Sequence, residues 1–243
     1  MASIELPWLD SPTQFPPTQQ ALLTPAGLLA ASDHLNADWL MASYPKGIFP
    51  WYSADEPVLW WSTNPRTVLH VEQFKLHRSL RKTLAHIAHD STHEIRMNND
   101  FEQTMRACAN EPRTGQQGTW ITEDIIDAYC TLHHRGFAHS IEHWHNQTLI
   151  GGLYCVSFGA MVYGESMFSR QTDASKVAFA YFIHWLKTQN VRIIDCQQAT
   201  PHLLSLGATT LPRSLFEQEM ADALSKAPLP WKTCTLAWTH DKT

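Results

Sequence analysis

Glu165, Asp195 and Gln197 are the residues whose types best suit chemistry: two carboxylates that can hold a cation or manage a proton, and an amide that both donates and accepts hydrogen bonds. Glu165 lies in the run Gly164-Glu-Ser-Met-Phe-Ser-Arg170, and the other two close the run Val191-Arg-Ile-Ile-Asp-Cys-Gln197. Side chains alternate on a strand, so Asp195 and Gln197 share one face while Ile194 and Cys196 take the other. In sheets with crossover helices, ligands bind beyond the carboxyl ends of the strands. A neighbouring strand carrying Glu165 would close such a site with negative charge. The same residues also suit a purely structural hydrogen-bonded pair.

The elements that must position them follow from pattern. The first sixty or so residues are rich in proline and turn residues, with one short helix expected near Ala37 to Tyr44, and read as a small irregular N-terminal domain over 1–63. From residue 64 to 243 the texture is that of one larger domain. It predicts a strand near Thr67 to Val71, a helix from Gln73 to Ala88 and another near Phe101 to Ala109. Thr122 followed by Glu123 and Asp124 caps a helix that runs to Gly136. Phe137 to Trp144, Thr148 to Phe158 and Ala160 to Met167 read as an antiparallel meander. Asp173 or Ser175 can start a helix through Leu186, and Val191 to Cys196 is a β-branched strand. A helix between two strands permits parallel pairing, so the expected fold is α+β, a mixed sheet flanked by helices.

Composition narrows the classes. A chain of 243 residues that is 44% hydrophobic can build a sizeable core. No stretch reaches the roughly 18 apolar residues of a membrane span, and the start lacks the pattern of a signal peptide, so a cytoplasmic location is expected. The five cysteines form no CxxC pair, which points to buried thiols. With 18 Lys and Arg against 23 Asp and Glu, non-specific coating of nucleic acid is disfavoured. A local patch survives: Lys75, Arg78, Arg81 and Lys82 form a cluster with no acidic residue among positions 75 to 82, and the last three share a helix face that is either solvated or able to grip phosphates. His139-Ser-Ile-Glu142-His143 matches a zinc-peptidase pattern that needs a helix; on a strand its histidines stand roughly 13 Å apart, too far for one ion. No Gly-rich phosphate loop and no G-x-S-x-G elbow occurs.

Eight segments occur in one order over much of the chain: Tyr44-Pro-Lys-Gly-Ile-Phe-Pro-Trp51, Leu59-Trp-Trp-Ser62, Gly118-Thr-Trp-Ile-Thr122, His139-Ser-Ile-Glu142, Gly151-Gly-Leu-Tyr154, Gly164 to Arg170, Asp195-Cys-Gln197 and Ser205-Leu-Gly207. Together they closely resemble the leucyl/phenylalanyl-tRNA-protein transferase family, from near Pro25 to Leu211-Pro-Arg213. The resemblance implies a fold like the GCN5-related acyltransferases behind a small N-terminal domain. It implies transfer of Leu, Phe and less often Met from aminoacyl-tRNA to the N-terminal amine of proteins beginning with Arg or Lys, which marks them for degradation. No metal and no cofactor is implied.

By that resemblance Asp195 and Gln197 are a catalytic pair and Glu165 stands beside them. Since an amide is a very poor base, Gln197 is expected to hydrogen-bond the attacking amine while Asp195, with Glu165, supplies negative charge for the cationic acceptor. Leu153, Met167, Phe179, Phe182 and Ile194 are implied to line the slot for the donor side chain. Trp51 and Trp120 are implied to hold the terminal adenosine of the tRNA by stacking, and Arg78, Arg81 and Lys82 then become contacts for its backbone. Two departures stand out: Thr200 and Pro201 where the family usually has an Asn two residues before His202, and Val162 in place of a bulkier residue. An acyl-coenzyme A-dependent N-acyltransferase of small molecules, or a tRNA-binding protein without catalysis, is the alternative.

Overall fold

The computed structural model of the protein describes residues 6–111 and 121–238. The Pro-rich beginning is more regular than its sequence suggests. It forms a four-stranded sheet from β1 (Trp8–Leu9), β2 (Leu28–Ser32), β3 (Phe49–Pro50) and β4 (Val58–Trp61), in the order β1-β2-β4-β3. These strands escape pattern reading because three have four residues or fewer and β2 is buried throughout, leaving no alternation to see. Helix α1 (Ala37–Ser43) starts where expected, the Asn36 side chain accepting from the amides of Asp38 and Trp39.

The rest is built on an eight-stranded sheet. Its strands are β5 (Arg66–His70), β6 (His93–Met97), β7 (Ala138–His145), β8 (Thr148–Phe158), β9 (Met161–Ser169), β10 (Ile193–Gln197), β11 (Thr209–Leu211) and β12 (Cys234–Thr235). They lie in the order β11-β5-β10-β9-β8-β7-β6-β12. Six of the seven adjacent pairs are antiparallel. The exception is β9 with β10, which run parallel because helix α5 (Ala174–Thr188) carries the chain back between them. The mixed sheet and its meander over β7, β8 and β9 match expectation. Strand β6 was hidden by its polar residues His93, Glu94 and Arg96.

Helices cover both faces. On one face, α3 (Phe101–Asn110), α4 (Glu123–His134) and α7 (Arg213–Leu224) join the N-terminal sheet in one apolar cluster that includes Trp39, Trp60, Tyr129, Tyr163 and Phe216. On the other, α2 (Arg78–Ile87) and α5 pack with Leu229 and Leu236 of the C-terminal stretch. The short α6 (Pro201–Ser205) follows β10. Helix α2 begins five residues later than the pattern suggests. Residues Val71–Gln73 make a 3-10 turn, and the Lys75 amide donates to the Leu206 carbonyl instead of to a helical partner. Helix α4 is capped by Thr122 as expected; at α5 Asp173 is the cap position, but in a left-handed conformation and without a side-chain capping bond. No described helix is long and apolar enough to cross a membrane.

The start of α5 is pressed against β8 at Gly151, where an added Cβ would lie 2.6 Å from the Ala174 Cβ and 2.8 Å from the Ser175 nitrogen. Backbone on both sides leaves nothing to yield. Gly151→Ala is therefore expected to destabilise the fold by about 1–3 kcal/mol, read as a lower midpoint in urea unfolding.

Candidate functional site

The parallel pair is the weak seam of the sheet. Strands β9 and β10 are in register only at Val162 with Ile194 and Tyr163 with Asp195, and beyond these the chains part. Each strand carries an irregularity at that point. Tyr154 faces Ser166 while Cys155 faces Gly164, which makes Glu165 an extra residue on β9; Asp195 faces Val68 while Gln197 faces Thr67, which makes Cys196 extra on β10. Such bulges re-aim side chains. In a regular strand Tyr163, Glu165 and Met167 would share a face. Here Tyr163 belongs to the first apolar cluster and Met167 packs against the second, so the bulge turns Met167 through the sheet and leaves Glu165 with the tyrosines.

Glu165 is half-buried at the mouth of this wedge. Its Oε1 accepts from Gln197 Nε2 at 3.0 Å and its Oε2 from the Tyr129 hydroxyl at 3.2 Å. The Tyr129 hydroxyl is 2.5 Å from that of Tyr44, which comes from the turn after α1. Loss of water around the carboxyl pushes its pKa up to about 7, although the nearby Tyr44 phenol and the hydrogen bonds from Gln197 and Tyr129 pull the other way. A carboxyl that changes state near neutrality suits proton transfer.

Gln197 is held in the left-handed region, at φ +60°, where a non-glycine residue costs on the order of 1–3 kcal/mol. Three bonds over-determine it. Its amide donates to Asp195 Oδ1 at 2.8 Å, its carbonyl accepts from Thr63 Oγ1 at 3.0 Å, and its side chain donates to Glu165. The side-chain oxygen is left as a hydrogen-bond acceptor.

Asp195 requires a correction. It is fully buried, and Arg66 grips it with both arms of a fork, Nε to Oδ1 at 2.8 Å and Nη2 to Oδ2 at 2.6 Å. The guanidinium is stacked between Phe49 and Phe216, 4.8 and 4.7 Å from their ring centres. The charge of Asp195 is therefore spent on Arg66 and does not face the wedge, so the expected anionic wall of two carboxylates reduces to Glu165. What Asp195 does is hold the Gln197 backbone.

Leu153, Phe179, Phe182 and Ile194 come together in the second apolar cluster, with Met167 at its half-buried margin beside Glu165 in sequence. Trp51 is 40% exposed and lies against Trp61, whose indole donates to the Trp51 carbonyl; Trp120 falls outside the described residues. Arg78, Arg81 and Lys82 are exposed on α2. His139 and His143 stand on β7, and the Glu142 carboxylate between them is consumed by the amides of Asn99 and Asp100, the Ser140 hydroxyl and the Trp144 indole. No group of three His, Cys, Asp or Glu among the described residues could hold a metal ion.

Arg66, Tyr44 and Tyr129 were missed by sequence reasoning. Tyr129 satisfies the apolar periodicity of α4 and so passes for core, and Arg66 opens an ordinary strand. The available signal was a hydroxyl or guanidinium at a position the pattern buries, since such groups need partners.

Against known families, the model described as leucyl/phenylalanyl-tRNA protein transferase matches residues 68–221, and that of its N-terminal domain matches 33–64. A protein of Polaromonas sp. named leucyl/phenylalanyl-tRNA--protein transferase is 49% identical over 236 residues, covering 96% of this chain and 92% of that one. One of the same name from Bordetella avium is 50% identical over 243 residues, covering 98% and 97%. Among solved structures, L-PGS from Bacillus licheniformis superposes on 89% of this chain and 69% of its own, with a TM-score of 0.39 and 11% identity.

Removing Arg66 strands a carboxylate in the core. Arg66→Met is expected to cost about 3–5 kcal/mol in denaturant unfolding, and adding Asp195→Asn, which removes the stranded charge, to recover part of that loss.

Proposed function

The chain belongs to the leucyl/phenylalanyl-tRNA protein transferase family, and on that footing we propose that it moves leucyl, phenylalanyl and less often methionyl groups from aminoacyl-tRNA to the N-terminal amine of proteins that begin with Arg or Lys. That transfer marks the acceptors for degradation. The observation that carries this reading is the pairing of Glu165 with Gln197 where the two strands part, with half-buried Met167 at the margin of an apolar cluster on the other side of the sheet. A GCN5-related acyltransferase-like domain over 64–243, behind a small N-terminal domain over 1–63, is part of the proposal. The mixed sheet with one short parallel pair supports it.

An aminoacyl ester is already activated, so holding its carbonyl beside an amine supplies much of the rate. The donor side chain enters at Met167 and extends toward Leu153, Phe179, Phe182 and Ile194; an unbranched thioether at the entrance adapts to Leu, Phe and Met alike. The Gln197 side-chain oxygen accepts a hydrogen bond from the attacking amine. Glu165 attracts the cationic N-terminal residue of the acceptor, which favours Arg and Lys. Asp195, locked by Arg66, positions Gln197. The exposed Trp51, together with Trp120, offers the terminal adenosine a stacking surface, and Arg78, Arg81 and Lys82 meet phosphates.

Incubation with labelled Leu-tRNA or Phe-tRNA is expected to label a peptide that starts with Arg and to leave one that starts with Ala nearly unlabelled. An unlabelled Arg peptide while the tRNA stays charged overturns the reading; tRNA bound without transfer is the result expected of a binding protein. Replacing Arg78, Arg81 and Lys82 by Ala is expected to weaken tRNA binding and to flatten the slope of log affinity against log salt by about 2 to 3, measured by filter binding at several salt concentrations.

A further inference from the structure

The reaction has one proton to manage, and Gln197 cannot take it: its amide nitrogen already donates to Glu165, and an amide oxygen is a very poor base. Groups from three distant parts of the chain gather at Glu165 instead, two of them bonded to its carboxylate and the third behind them. Tyr129 comes from α4, Tyr44 from the turn after α1 and Gln197 from the end of β10. The Tyr129 hydroxyl has a single proton and donates it to Glu165 Oε2, so the hydrogen at the 2.5 Å contact must come from Tyr44. The two phenols thus form a chain of donors aimed at the carboxylate, each strengthening the next.

Resting on the transferase reading above, we propose that Glu165 is the proton acceptor of the transfer reaction and that Tyr129 and Tyr44 are positioning residues that hold its carboxylate in the basic form and aim it at the wedge. The amine nitrogen forms its bond to the ester carbonyl carbon and gives one proton to Glu165. The bond from that carbon to the ribose oxygen then breaks, and the proton returns from Glu165 to the departing oxygen. Nothing is consumed or left over. Each carboxylate oxygen takes one of the named donors and keeps a second lone pair, so the proton can be accepted without displacing either.

The surroundings suit the role. Burial raises both phenols well above their usual range, so they stay protonated and act only as donors. Among the described residues, the other titratable groups around the carboxyl and its two phenols are Tyr154 and Cys155 from β8, Tyr163 from β9 and Asp195 from β10. The buried thiol stays protonated, and the charge of Asp195 is countered by Arg66. Glu165 is the one group among them placed to exchange a proton with a substrate.

The test is the pH dependence of kcat/KM for transfer to an Arg-initiated peptide. Activity is expected to fall as pH drops through about 7, where Glu165 becomes protonated. The acceptor amine, with a pKa of about 7.7–8.0 in solution, adds its own limb, which no enzyme variant can move. Tyr129→Phe removes a direct donor to the carboxylate, so the Glu165 limb is expected to move to higher pH by about one unit, the size of one hydrogen bond to a charged group, and Tyr44→Phe, which removes the donor behind Tyr129, to move it the same way by less. Glu165→Gln is expected to remove that limb and leave only the amine's. Phe variants that lower the rate equally at all pH values, or a Glu165→Gln enzyme that keeps the limb, overturn the proposal while leaving the transferase reading intact. A wild-type enzyme with no transfer at any pH overturns the reading instead.

Discussion

The buried pair of Arg66 and Asp195 is the interaction on which the rest of the site depends. Burying two charges costs several kcal/mol per ion before any attraction is counted, and the cost is offset only when geometry is close to ideal. Here the fork is bidentate and the guanidinium lies between two aromatic rings, an arrangement a lysine could not reproduce. Its contacts come from four places. Arg66 opens β5, Asp195 sits on β10, Phe49 belongs to the N-terminal sheet and Phe216 to α7. One side chain therefore registers the small sheet, the large sheet and the last helix against each other. The same carboxylate then receives the Gln197 amide and helps hold that residue at a positive φ, which the local sequence would not choose.

The second constraint is the seam between β9 and β10. A sheet continuous at this point would offer an edge-to-edge ladder and no room for an ester. Two registered pairs are enough to bring Tyr163 beside Asp195, and beyond them Gly164 to Met167 on one strand and Cys196 to Gln198 after the other are half-buried. The extra residue at Glu165 divides the faces: the carboxylate goes to the tyrosines, and Met167 goes to the apolar cluster under α5. Acceptor and donor can then be met from opposite sides of one sheet. Placing Asp195 out of reach also simplifies the electrostatics, since a second free carboxylate would repel the charged form of Glu165 more strongly than a neutralised one does.

Much of this was legible in the residues. The Thr122 cap, the alternation through Ile194 and Cys196, and the helix between two strand-like runs gave a mixed sheet with Asp195 and Gln197 at a strand end. The ordered motifs from Tyr44 to Gly207 pointed to the family. The N-terminal strands and β6 were not legible, because short, uniformly buried or polar strands carry no period. The roles of the two carboxylates were not legible either. Asp195 and Glu165 look alike as letters, and only their partners separate a residue saturated by Arg66 from one that titrates near neutrality.

The sequence by itself determined the family and most of the helices and strands that frame the site, because periodicity, capping and motif order are properties of neighbours along the backbone. The tertiary structure alone decided which carboxylate keeps its charge for chemistry. Arg66 lies 129 positions from Asp195, and Tyr44 and Tyr129 lie 85 positions apart. Charge compensation and desolvation depend on distances through space, and those distances exist only once the two sheets and their helices have closed on one another.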